Sequence, residues 1–453
     1  MPLKSDSIIS LDNALKIKIT PPVIFVIHFA VMMVTFYLLH HFNILLSNPG
    51  ADNIAQWDAG ILAHIRDHGY IFHPETMQWN TGMFPLFPYI WKWTGLGAVG
   101  ISILNYLVML SGFWWLVKTY RFPPMLQLYL LAIPSLIFFF LPYAEAFFFL
   151  SATMIIAGVE KDNRWLMAAG IYLAMLSRGT GLFFIPIAIL MEWMQDFSFR
   201  KEVLLRVIRK SILPTLAVIL AVATIAIIQY VQTGFAFSFF EVQTNLTNKH
   251  WHGMHFPLTT WYQAENMWAD GLAAVVGIGS GIILLFTGWG PVQERKQGDP
   301  VTWNSKVVRF SIMYLAVQVW YVIFNGQIHE ASGSVAIMSM GRYIFCTPFW
   351  MIFALAIATR PVWNTTALLF TMIIAFGIIC LMGVEIYFSD NHWWAQWDRP
   401  GLLYHLGMLV LTLPLFFANR WRLAPYFLLF GYLAGVFLQL VLFDSFTGGL
   451  WVG

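Results

Sequence analysis

The sequence is short of charge and nearly devoid of cysteine. Of its 453 residues, 10% are Asp, Glu, Lys or Arg, and two are cysteine, Cys346 and Cys380. So few charged side chains cannot cover a water-soluble globule of this size. Both cysteines fall inside apolar runs, which suggests neither a disulfide framework nor a thiolate metal site. A formal net charge of +3, with no basic block and no zinc-finger spacing, leaves no footprint for nucleic acid. No small-residue cleavage pattern follows the first apolar run, so the run from Val23 reads as a retained span and not as a signal peptide. Internal repeats and low-complexity linkers are also missing, and residues 1–453 read as one membrane domain.

What the chain has in abundance is apolar surface: 59% of residues are hydrophobic and 17% aromatic, and the mean hydropathy is +0.69. Its solvent must be lipid. Runs of roughly 20 apolar residues cross a hydrocarbon core of about 30 Å. Such runs fall near 22–46, 96–117, 124–141, 143–159, 165–177, 180–194, 212–232, 272–289, 307–325, 335–358, 365–387, 402–418 and 424–443. The pattern predicts an all-α polytopic membrane protein with about thirteen transmembrane helices. Loops then lie near 47–95, 233–271, 326–334 and 388–401 on one side. Of the 25 Lys and Arg residues, six (Arg66, Lys92, Arg178, Lys249, Arg342 and Arg399) fall on that side and all others on the opposite one. The positive-inside rule makes the six-residue side external.

The titratable chemistry is concentrated externally. The stretch QWDAGILAHIRDHGY, residues 56–70, gathers Asp58, His64, Arg66, Asp67 and His68. Trp57, Ile61, Leu62 and Ile65 recur at helical spacing, which predicts a short interfacial helix with Asp58 in its first turn. Beyond it, NTGMFPLFPYIW carries Pro85 and Pro88, which break any long helix. LPYAEAFF places Glu145 at the outer mouth of a span; LSRGTGL places Arg178 between two short spans beside Gly179 and Gly181. SMGRYIF places Arg342 about two turns inside a helix, a depth at which a charge implies a partner or a functional pathway.

These segments, QWDAG, IRDHGY and FPLFP, then PYAEAFFFLSA, LSRGTGLFFIP and SMGRYIF, occur in the order seen in PIG-V-type mannosyltransferases. From about residue 51 to about 348 the chain resembles that family, which belongs to the GT-C class of integral membrane glycosyltransferases. The RY form of the last motif is similar to the bacterial members. The resemblance implies a GT-C-like fold, a polyprenyl-phosphate sugar donor, mannose as the sugar, and a lipid or glycan acceptor. It further implies an active site facing the periplasm or lumen, in the inner (plasma) membrane or alternatively the endoplasmic reticulum, with Asp58 as the catalytic carboxylate.

Physical chemistry adds roles to that expectation. A lipid-linked sugar phosphate is already activated, so the enzyme needs a general base for the acceptor hydroxyl, a task Asp58 suits. The leaving phosphate needs cationic donors, and Arg342 and Arg178 are candidates because guanidinium binds phosphate bidentately. With arginines neutralising the leaving group, no cofactor or metal is required, and direct attack inverts the anomeric centre. Glu145 reads either as a substrate residue or as the partner of Arg178 or Arg342. Tyr143 and Tyr343 read as interfacial anchors or substrate contacts; Trp57, Trp393 and Trp394 as belt residues or sugar-stacking surfaces; Asp67 and His64 as further substrate-binding candidates. His64 and His68, one turn apart, together with His250, His252 and His255, are the alternative metal-site reading. Asn245, Leu246 and Thr247 form an external glycosylation sequon. The competing class is a lipid or solute transporter, which would place its charges near the midplane of two related halves.

Overall fold

The structure, a computed structural model, describes residues 20–243, 253, 258–259, 264–287, 301–326, 328, 335–337, 339–359, 365–381, 385–388, 393–396, 415 and 423–452. The described residues are mostly helical. In order, the helices are α1 (Pro21–His41), α2 (Asp58–His68), α3 (Leu86–Thr94), α4 (Ala98–Tyr120), α5 (Pro124–Leu131), α6 (Glu145–Glu160), α7 (Arg164–Ser177) and α8 (Phe184–Trp193). They continue as α9 (Lys201–Thr233), α10 (Ser238–Glu241), α11 (Ala264–Thr287), α12 (Lys306–Asn325), α13 (Met340–Phe345), α14 (Pro348–Thr359), α15 (Thr365–Leu381) and α16 (Ala424–Thr447). Among the described residues the strands form three pairings of two to four residues, such as the antiparallel Phe72–His73 with Gln78–Trp79 between α2 and α3.

Among the described residues, six helices are long and apolar enough to cross a membrane: α1, α4, α9, α12, α16 and the Ala269–Phe286 part of α11. Their apolar faces differ in what they meet. In α1, 17% of the spanning window is buried within the protein, against 72% in α12, so α1 is peripheral and α12 central. Helix α9 turns Leu205, Ile208, Ile212, Ile219, Leu220 and Val231 outward, the side chains lipid solvates best.

Helices α6 and α7 form an antiparallel hairpin joined by a tight turn, in which Asn163 caps α7 by accepting from the Leu166 N–H at 3.0 Å. This brings Glu145 and Arg178 to one end. The other end is basic and ion-paired: Lys210 bridges Asp162 at 3.7 Å and Glu192 at 3.3 Å, and Arg206 pairs with Asp196.

The expected span 365–387 ends as the helix α15 at Leu381, with Glu385–Phe388 in a strand paired to Trp393–Gln396; two other expected spans are discontinuous. Residues 124–141 comprise α5, a break at Ala132–Ile133, and a 3-10 turn over Pro134–Phe139. The break is held by Gln439 of α16, whose amide donates to the carbonyls of Leu131 and Ile133, each at 2.8 Å. Residues 335–358 comprise a two-residue strand, α13, and then α14 starting at Pro348. Proline lacks the N–H that a continuous helix would use, so it restarts a helix here and does not extend one. Apolar composition alone hides such breaks. Conversely, α9 begins at Lys201, well before the apolar run from 212, because its charged first turns continue the same helix. The expected span 402–418 lies outside the described residues apart from position 415.

Candidate functional site

Residues separated by up to 284 positions meet at one point. Arg342 Nη1 donates to Asp58 Oδ2 at 3.0 Å, and its Nε lies 3.1 Å from Glu145 Oε1. That second contact is a charge pairing whose N–H is poorly aimed for a hydrogen bond. Arg178 Nη1 approaches the same Glu145 oxygen at 3.4 Å. Glu145, Arg178 and Arg342 are buried, whereas 20% of the Asp58 side chain remains exposed. The open carboxylate therefore stands at the mouth of a buried, formally neutral quartet. Removing Glu145, which both guanidiniums share, would leave Arg178 buried without a carboxylate, at a cost of about 3–5 kcal/mol.

Aromatic faces wall the two cations. The Arg178 guanidinium lies 4.2 Å from the Tyr343 ring centroid and 5.5 Å from that of Phe148. Arg342 lies 5.1 Å from Phe138 and 5.4 Å from both Tyr143 and Tyr343. Tyr143 is 2% exposed, so it is no interfacial anchor. Arg178 Nη2 and Glu145 Oε2 are buried without a hydrogen-bond partner among the described residues, an arrangement natural proteins seldom leave unless a ligand or water completes it.

Local structure explains each placement. Asp58 and Glu145 are the first residues of α2 and α6, where helix dipoles favour carboxylates. The turn before Glu145 is pinned by Asn105 of α4, whose amide donates to the carbonyls of Leu141 at 2.7 Å and Tyr143 at 2.9 Å. Arg178 sits in extended backbone just past α7. The following 3-10 turn folds back so closely that a Cβ on Gly181 would lie 2.6 Å from the Met175 Cα. We expect Gly181→Ala to destabilise by about 1–3 kcal/mol, as overpacking does. Gly377→Ala, where a Cβ meets nothing within 4 Å among the described residues, should be neutral or slightly stabilising. Thermal unfolding midpoints in detergent check both.

Arg342 lies in the first turn of the six-residue α13, not two turns down a continuous span as its sequence setting suggested. Ser339, with φ 63°, turns the chain into that helix, and Asp270 Oδ1 accepts the Gly341 N–H at 2.7 Å. Trp57, immediately before Asp58, has φ 55°. A bulky residue held there stores about 1–3 kcal/mol of backbone strain. Both key helices thus start from a positive-φ residue next to the cluster.

The side chains of the other candidates are engaged elsewhere. Trp57 is exposed and edge-on to Trp451 at 5.5 Å. Asp67 pairs with Arg66 further along α2, and that guanidinium holds its carboxyl below the usual range. His64 Nδ1 lies 3.3 Å from Asn80 Nδ2 and its ring is 4.9 Å from that of His68. The structure brings none of these four to the quartet. Among the described residues no group of three or more His, Cys, Asp or Glu is placed to hold a metal ion. His250, His252, His255 and the sequon lie outside the described residues, as do the side chains of Trp393, Trp394 and Cys380. Sequence reasoning missed Asp270 and Asn105; a lone carboxylate in WADGLAAVVG was the available signal for the first.

What the apolar helices define is a multi-pass membrane protein. Comparison of the chain with protein-family models, curated proteins and solved structures returns no match.

Proposed function

We propose that this protein is an inverting membrane glycosyltransferase of the PIG-V type, with a GT-C-like fold of about thirteen crossings. In this reading it moves a sugar, mannose by the resemblance, from a polyprenyl-phosphate donor to a lipid or glycan acceptor at the periplasmic or lumenal face. The observation that carries the reading is the convergence of Asp58, Glu145, Arg178 and Arg342 in one cluster. A phosphate entering that cluster competes with Asp58 for the Arg342 fork. Binding of the donor then releases Oδ2, which takes the acceptor's hydroxyl proton as the oxygen attacks the anomeric carbon. The bond from that carbon to the phosphate oxygen breaks, and the electron pair leaves with the phosphate, facing Arg342 and Arg178. Glu145 keeps the two guanidiniums side by side.

One observation favours a second reading, a lipid or solute transporter: α13 and α14 interrupt a span beside the charged cluster, as broken helices do in transporters. Purified protein in liposomes, given a polyprenyl phosphate carrying a radiolabelled sugar and membrane lipid extract, separates the two. Label appearing in a new glycolipid supports transfer; label moving between leaflets with its donor intact supports transport and sinks the transferase. Orientation has its own test. In intact cells, with Cys346 and Cys380 replaced, Met77→Cys should react with an impermeant maleimide and Phe199→Cys should not; both native side chains are exposed. The reverse pattern overturns the external placement of the cluster.

A further inference from the structure

A polar cavity of about 300 Å³ opens at the opposite end of α2 from Asp58. That volume is at the small end of ligand pockets. Gln232, near the end of α9, is part of its lining; its amide Nε2 donates to the Tyr89 hydroxyl while its Oε1 accepts the Tyr70 N–H at 2.6 Å. Gly69, with φ +84°, lets this contact form, since a Cβ there would lie 2.5 Å from Gln232 Oε1. One side-chain amide thus ties α3, α9 and the segment just after α2 together beside the cavity.

Asp67, His68 and Lys92 stand exposed at the rim. Arg66 fixes the Asp67 carboxylate with two bonds of 2.7 and 2.6 Å, so its oxygens are oriented before any ligand arrives. The cavity therefore offers an acceptor-only carboxylate whose charge Arg66 already offsets, one ammonium, the Tyr89 phenol, an amide and an imidazole around a small volume. A phosphate would face Asp67, a cation would face Lys92, and an acyl chain would strand every polar group on the rim. A neutral polyol, which both donates and accepts at each hydroxyl, satisfies all of them.

We propose that this cavity binds a neutral sugar unit of the acceptor, away from the reacting hydroxyl. The inference rests on the glycosyltransferase reading for the word acceptor, though not for sugar binding itself. Ile65 to His68 lie seven to ten residues along α2 from Asp58, about 10–15 Å at the helical rise, so an acceptor of a few sugar units reaches both. Binding there would set which hydroxyl is presented to Asp58.

The test uses the full chain in lipid nanodiscs, without donor, titrated with mannose, glucose, galactose and inositol and followed by saturation-transfer NMR. We expect saturable binding of at least one of them, weakened about tenfold by Asp67→Ala and by Lys92→Ala, the loss of one or two charged hydrogen bonds. Asp58→Asn should leave that binding unchanged. In turnover, the two rim variants should raise the acceptor KM about tenfold with kcat within about twofold. Should either fail to fold, Asp67→Asn and Lys92→Gln serve instead. No saturable binding, or binding indifferent to both rim changes, overturns the proposal. Rim-sensitive sugar binding without any transfer to acceptor leaves the cavity as a sugar site while removing the transferase reading.

Discussion

Asp58→Asn should lower sugar transfer by about 10²–10⁴-fold, the contribution of a general base, while the protein folds and binds donor at least as tightly as before. The amide keeps the size of the carboxylate and can still accept from Arg342 Nη1, now 3.0 Å from Oδ2, but it cannot take the acceptor's proton. Folding should survive because Asp58 is the partly exposed member of the quartet, and Arg342 keeps its pairing with Glu145. Donor binding should hold or improve because the carboxylate that competes with phosphate for the guanidinium has lost its charge. Turnover of a radiolabelled donor, donor affinity and unfolding midpoint are measured on the same preparation. Wild-type turnover would remove Asp58 as the base. Lost turnover together with a lowered midpoint would reduce it to a structural ion-pair partner.

The parts of this site that sequence makes legible are its residues, and the reason is chemical. A charge in a lipid-solvated chain is costly enough to stand out singly, so Asp58, Glu145, Arg178 and Arg342 are visible without any contact information. Their pairing is not visible, because periodicity reports which face of a helix is polar and says nothing of which helices meet. Glu145 has both arginines as partners, where the sequence suggests one or the other. Tyr143 and Tyr343 look like headgroup anchors by residue type; only the tertiary structure shows them as ring walls around the cations. The broken spans are hidden for the opposite reason. Hydropathy sums over Ile133, Cys346 and Thr347 without registering that the backbone has left the helix there. The left-handed turn at Ser339 sits beside a tertiary contact that sequence does not reveal, the Asp270 carboxylate accepting the Gly341 N–H.

Arg342 separates donor binding from charge balance, and substitutions there should show effects second only to those at Asp58. Arg342→Lys retains the charge but loses the planar fork, and donor affinity should fall about tenfold. Arg342→Ala should weaken donor binding by about 30-fold or more, because truncating one partner of a desolvated charge pair costs about 2–5 kcal/mol. It should also lower stability, since Asp58 loses its cation and Glu145 retains only Arg178. The second change, Glu145→Gln, tells the two consequences apart. In the double variant Asp58 and Arg178 remain and the net charge of the cluster is again zero, so the unfolding midpoint should rise above that of Arg342→Ala, though short of wild type because Asp58 has lost Arg342 and Arg178 has lost Glu145. If Arg342 grips the donor's phosphate, that gain in stability comes without restored affinity, because the fork that met the phosphate is still missing. If Arg342 serves only to neutralise Glu145, stability and affinity recover together, and the phosphate then has to be assigned to Arg178 alone, whose Nη2 is the buried donor left over.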